Sequence, residues 1–144
     1  MPKPQSFKNH GRLRPLFHFA IIPLLLLNLI FSIVILVKHY AAHPHVTIWW
    51  IVLSVILILI AGDHRNSALG VQDRLIRLEE RLRLTALGVP HATIYALTER
   101  QLIGLRFASD AELPTLAERA VREKLTEKQL KASIQSWRPD YFRI

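Results

Sequence analysis

Two stretches decide most of what this chain can fold into: "FHFAIIPLLLLNLIFSIVILV" over 17–37 and "VTIWWIVLSVILILIAG" over 46–62. No Lys, Arg, Asp or Glu stands between Phe19 and Val37. At 1.5 Å per residue the first stretch rises about 31 Å as a helix and the second about 25 Å, against a hydrocarbon core of roughly 30 Å. Both are read as transmembrane helices, over 17–37 and 47–62. The second gains length from its flanks or from local thinning of the bilayer. A cleaved signal peptide has a shorter apolar core and a small-x-small site directly behind it, and the first stretch fits neither feature. Burial inside a soluble core would require protein on every face, and too little chain remains to supply it.

Charge orients the pair. Lys3, Lys8, Arg12 and Arg14 precede the first helix with no acid among them, in a basic N-terminal segment over 1–16. The connecting loop over 38–46 carries only Lys38 as a formal charge, whereas Arg65, Arg74, Arg77, Arg81 and Arg83 follow the second helix. Short segments rich in Lys and Arg stay cytoplasmic, so both termini are expected inside, with Tyr40, Trp49 and Trp50 in an aromatic belt at the outer interface. Pro23 removes one intrahelical hydrogen bond and is expected to kink the first helix. Asn28, an amide in lipid, seeks a partner, for which Ser54 and a neighbouring subunit are the candidates; a bond to its own backbone is the third possibility.

From Thr47 to Leu87 there is no proline, so the second helix is expected to continue past the membrane as an amphipathic segment over 63–87, ended by Gly88 and Pro90. Val71, Leu75, Leu78 and Leu82 fall four, three and four apart and form one narrow apolar seam, flanked by Arg74, Arg77, Arg81 and Arg83. Asp73 with Arg77, and Glu79 with Arg83, are acid-before-base pairs at i, i+4.

Residues 98–144 form a small helical domain. Thr98-x-x-Gln101, Ser109-x-x-Glu112 and Thr126-x-x-Gln129 each read as a capping box, starting helices over 99–107, 111–124 and 127–137. Leu113, Leu116, Ala117, Ala120 and Val121 share a face of the middle helix, and Leu130, Ile134 and Trp137 share one of the last. Fewer than fifty residues seldom hold a core unaided. The three helices are therefore expected to fold back onto the seam at 71–82. A homodimeric coiled coil on the same seam is the competing reading, with barely two heptads to sustain it. The fold class is all-α: a two-helix transmembrane hairpin, its second helix extended into the cytoplasm, with a small cytoplasmic helical domain.

Chemistry is sparse. The chain has no cysteine, hence no thiolate ligand or nucleophile. His39, His43 and His45 cluster in the outer loop, but no carboxylate completes a zinc or copper set. His18 and His64 lie near the inner ends of the two spans, where one hairpin offers little wall for a haem. No phosphate loop, HExxH or nucleophile elbow occurs, and no ionisable residue sits in the interior of either span to relay protons. The net charge is +8, yet residues 98–144 carry nine basic and seven acidic side chains interleaved, unlike a nucleic-acid-reading face. No catalytic residue, cofactor or metal is expected.

The blocks "SFKNHGRLRPLFHF", "VQDRLIRLEERLRL", "QLIGLRFASDAELPTLAERAV" and "KASIQSWRPDYFRI" resemble those of DUF6526, a bacterial family of small two-span membrane proteins of unknown function. The resemblance implies a bacterial cell membrane location, the hairpin and the helical tail, and it brings no assigned site. It suggests that the N-terminal block and the tail form one unit, with Phe7 packing on Tyr141 and Phe142. The functional expectation is a non-enzymatic accessory or scaffold, bound to the lipid bilayer and to a protein partner or a second copy of itself. Its candidate interaction surface is Val71, Arg74, Leu75, Arg77, Leu78, Arg81 and Leu82. The alternative is an oligomeric sensor or small transport component using Asn28 or the outer histidines.

Overall fold

The computed structural model describes residues 5–7, 11, 13–39 and 44–140. Across them the protein is all-helical and divides into two units, one of residues 13–69 and one joining residues 1–12 to residues 70–144.

The first of these units holds a π-helical segment (Leu16–Ile21), helix α1 (Ile22–His39) and the N-terminal part of helix α2 (Pro44–Ala86). Both α-helices are long and apolar enough to cross a membrane. The helix adapts to Pro23 by widening upstream of it. Ile22 donates to the carbonyl of Phe17, five residues back, in the wide turn that often accommodates an interrupted ladder. Within the apolar stretches the two serines point inward and large aliphatic side chains point outward. Ser32 and Ser54 are buried, while Leu24, Leu27 and Phe31 are 62–63% exposed. Asn28 Nδ2 donates to Ser54 Oγ at 2.7 Å, which links α1 to α2 as the sequence allowed. Ser54 Oγ in turn donates to the carbonyl of Trp50 at 2.7 Å. The Arg65 guanidinium lies 5.0 Å from the centre of the Phe17 ring.

The second unit begins with the C-terminal part of α2 and adds α3 (His91–Ala96), α4 (Glu99–Leu105), α5 (Leu113–Arg122) and α6 (Glu127–Ser133). Gly88, at φ 76°, ends α2 in a Schellman turn. Its N–H bonds Thr85 O and that of Val89 bonds Leu84 O, both at 3.0 Å. The two residues that this turn brings together, Leu84 and Val89, both enter the core, the hydrophobic contact that accompanies such caps. Pro90 then serves as the N-cap of α3, a helix absent from the sequence expectation. The Thr98 and Thr126 capping boxes both form.

The core contains Leu84, Leu102, Leu105, Phe107, Leu113 and Leu130, all fully buried. Gln101 is the polar residue that ties it together. Its Oε1 accepts from Thr98 N at 2.9 Å, and its Nε2 donates to Ala120 O and Leu125 O, both at 2.9 Å. One carboxamide thereby completes the N-terminus of α4 and satisfies carbonyls at the C-terminal end of α5.

Two elements depart from the sequence expectation. The last helix stops at Ser133 rather than 137. Glu112 reaches across to accept from Gln135 N and Ser136 N, both at 3.1 Å, which holds this stretch out of the helix. Ala108 and Trp137 form an isolated antiparallel bridge pair, and the Trp137 ring lies 5.0 Å from that of Phe107. The Ser109 box is only half made. Ser109 N donates to Glu112 Oε1 at 3.4 Å, while Ser109 Oγ is buried without a hydrogen bond among the described residues, and the N-cap position of α5 falls on Glu112 rather than Ser109. At the other end of the chain Gln5 pairs with the backbone of Asp140 at 2.9 and 3.0 Å, so the N-terminal segment and the tail do meet. Tyr141 and Phe142, expected to pack on Phe7, lie outside the described residues.

Candidate interaction surface

On a helix, residues at i, i+4 and i+8 line one face. In α2 the row that receives the small helices is Ile76, Glu80 and Leu84, exposed by 6%, 3% and 0%. The seam lies on the other side. Val71, Leu75, Leu78 and Leu82 are 67%, 55%, 56% and 62% exposed. At 3.6 residues per turn the two rows stand ~170° apart around the helix. The expectation that the domain folds back onto the seam is therefore overturned: it folds onto the opposite face.

The physical reason is polar as much as apolar. Arg83 Nη1 bonds the buried Glu80 at 3.1 Å, its Nε bonds Asp110 at 2.5 Å and its Nη2 donates to Ala108 O at 2.6 Å. Arg138, in the tail, stands 3.8 Å from the other Glu80 oxygen. Arg77 pairs with Glu99 at the start of α4. These bonds require the face that carries residues 76, 77, 80, 83 and 84. The anticipated pairs of Asp73 with Arg77 and Glu79 with Arg83 do not form, since Arg77 is drawn to Glu99 on α4 and Arg83 to Glu80 and to Asp110 in the α4–α5 connection.

Six of the seven candidate surface residues thus face outward together: Val71, Arg74, Leu75, Leu78, Arg81 and Leu82. Arg77 does not belong with them. It is committed to Glu99, with its Nε also donating to Asp73 O at 3.3 Å. Among the described residues neither Arg74 nor Arg81 nor Glu79 makes an ion pair. Beside the seam a shallow pocket of about 150 Å³ is lined by Leu75, Glu79, Glu80, Arg106, Arg138 and Asp140, among others. Burial pushes the Glu80 carboxyl above its ordinary range, against the opposing pull of Arg83 and Arg138. Two ion pairs cross this pocket, Arg106 Nε lying 3.4 Å from Asp140 and Arg138 3.8 Å from Glu80. They hold the tail against α2.

Sequence reasoning missed Glu80, Arg138 and Asp140 as a cluster. A charged residue inside an i, i+4, i+8 apolar row was the available signal, but its second partner, Arg138, lies 58 residues on, where local patterning does not reach. The histidine expectations stay local. His45 is exposed in the first turn of α2, while His43 and the His39 side chain lie outside the described residues. His18 Nδ1 is 2.9 Å from the carbonyl of Arg14. Among the described residues no three metal-binding side chains converge.

The sequence model of DUF6526, a family of unknown function, matches residues 1–144, and the chain belongs to that family. No curated protein and no solved structure matches it.

Proposed function

We propose that this DUF6526 protein is a non-enzymatic accessory protein of the bacterial cell membrane. Its two apolar helices anchor a small helical module at the cytoplasmic face, and that module binds a protein. Three features support the anchor. Within the two apolar stretches Ser32 and Ser54 are buried while Leu24, Leu27 and Leu59 are exposed, the arrangement suited to lipid rather than water. The pairs Asn28–Ser54 and Phe17–Arg65 have residue numbers that add to the same value, which is the register of an antiparallel hairpin. Basic residues flank the ends expected inside.

The single observation that carries the binding role is the seam. Four large aliphatic side chains, each more than half exposed, lie in one row outside the membrane-spanning stretch, on a unit whose own core is already closed. An isolated exposed leucine is ordinary on a protein surface, whereas a contiguous row rimmed by charge marks an interaction site. Asn28, the one candidate for a transport or sensing role inside the spans, is bonded to Ser54, so the accessory reading is favoured over the alternative. The test is the mass and composition of the native complex extracted from its own membranes in mild detergent. The proposal expects a stoichiometric protein beyond one 16.6 kDa chain; a single chain bearing only lipid and detergent contradicts it.

A further inference from the structure

The spacing of the seam specifies what covers it. Steps of four, three and four place Leu75 and Leu82 at heptad positions a, and Val71 and Leu78 at positions d. Arg74 and Arg81 then occupy positions g on one flank, and Gln72 and Glu79 positions e on the other. In a parallel two-stranded coil each g residue meets the e residue five places further along the partner. Five places beyond Arg74 is Glu79. Both are exposed, and neither makes an ion pair with the described residues of its own chain. Turned antiparallel, the same helices would set arginine flank against arginine flank, a repulsion the parallel arrangement avoids.

We infer that the seam is covered by a second copy of this chain, packed in parallel and in register through Val71, Leu75, Leu78 and Leu82. The contact is closed by Arg74 of each copy on Glu79 of the other. A two-fold contact of this kind uses one patch twice, so a single sequence supplies both the apolar row and the complementary charges. The inference rests on the membrane-anchor reading above. Anchoring holds two copies with the same polarity and at the same depth, and the raised effective concentration offsets the shortness of a two-heptad seam. Arg81 meets Ala86 by the same rule and stays in solvent.

The absence of native cysteine makes the test direct. In full-length protein in isolated membranes, Leu78→Cys is expected to form a disulfide-linked dimer on mild oxidation. Tyr95→Cys, at a position 75% exposed on α3 and not part of the seam, is expected to give little. On the Leu78→Cys background, Arg74→Glu alone or Glu79→Arg alone lowers dimer yield by roughly tenfold, because two attractive pairs become repulsive. The combination of the two restores it. Equal cross-linking of the Leu78→Cys and Tyr95→Cys variants, or a double exchange that fails to restore the dimer, overturns the inference. A native complex of one chain with a different protein also overturns it while leaving the accessory role standing. A lone chain defeats both.

Discussion

Replacing Gln101 with leucine keeps side-chain bulk and removes three hydrogen bonds at once, those with Thr98 N, Ala120 O and Leu125 O. Gln101 is 5% exposed, so water does not take over these bonds. Each is worth about 1 kcal/mol net, and a stranded buried group adds about 1–3 kcal/mol. Ala120 O keeps its bond from Leu125 N at 3.1 Å, which limits the additional penalty to the Thr98 N–H and the Leu125 carbonyl. The extra apolar contact of leucine returns part of the loss. The expected destabilisation is about 3 kcal/mol, which at about 4–8 °C per kcal/mol for a unit of this size lowers the melting temperature by at least ~10 °C. Thermal unfolding of the full chain in mild detergent, followed by circular dichroism, measures it. A loss below about 1 kcal/mol would mean that the carboxamide is not what joins α4 to the end of α5, and the packing account would fail there.

Glu80 sets a pH dependence. Burial raises its carboxyl above the ordinary value of 4.5, with Arg83 and then Arg138 pulling it down. The folded state therefore holds the proton more tightly than the unfolded chain. The contribution of this residue to stability is full below that ordinary value and is lost as pH rises through the folded one. Glu80→Gln should flatten that limb of the stability–pH curve; an unchanged slope refutes the assignment. Arg83→Met leaves Glu80 buried with Arg138 alone, and should cost about 3 kcal/mol at neutral pH, with a smaller loss in acid where Glu80 takes a proton. Equal losses at both pH values would argue against the Glu80–Arg83 pairing. Lys124 sits at φ 51°, in the left-handed position of a second Schellman turn closed by Leu125 N to Ala120 O at 3.1 Å. Lys124→Gly relieves that strain, less the extra freedom given to the unfolded chain, and should stabilise by about 0.5 kcal/mol in a denaturant titration. A decrease in stability contradicts the strain.

What could be read from the sequence was what local chemistry dictates. The apolar runs, the two Thr–Gln capping boxes, the turn at Gly88 and the apolar face of α5 depend on residues within a few positions of each other. The choice of docking face on α2 does not. Counting apolar residues favours the seam over the row Ile76, Glu80, Leu84, because the seam has four aliphatic side chains and the row has two with a carboxylate between them. The row wins through Arg83 reaching Asp110 and Ala108, Arg77 reaching Glu99, and Arg138 reaching Glu80, all contacts across loops. The same limit explains the end of α6. Leu130 and Ile134 continue a helical pattern, but Glu112 captures the backbone of 135–136 from another element. The short helix α3 hides behind Pro90, which signals the end of α2 and at the same time stands at the N-cap of α3.

The accessory role requires the seam-bearing unit to lie inside the cell and the loop outside. Two single substitutions in the cysteine-free chain, His45→Cys and Gln135→Cys, both at exposed positions, decide this by labelling with a membrane-impermeant maleimide. The expected result is that the His45→Cys protein reacts once the outer membrane is permeabilised, whereas the Gln135→Cys protein reacts only after the inner membrane is broken. Labelling of the Gln135→Cys protein in cells with an intact inner membrane, or recovery of the protein in the soluble fraction, would contradict it.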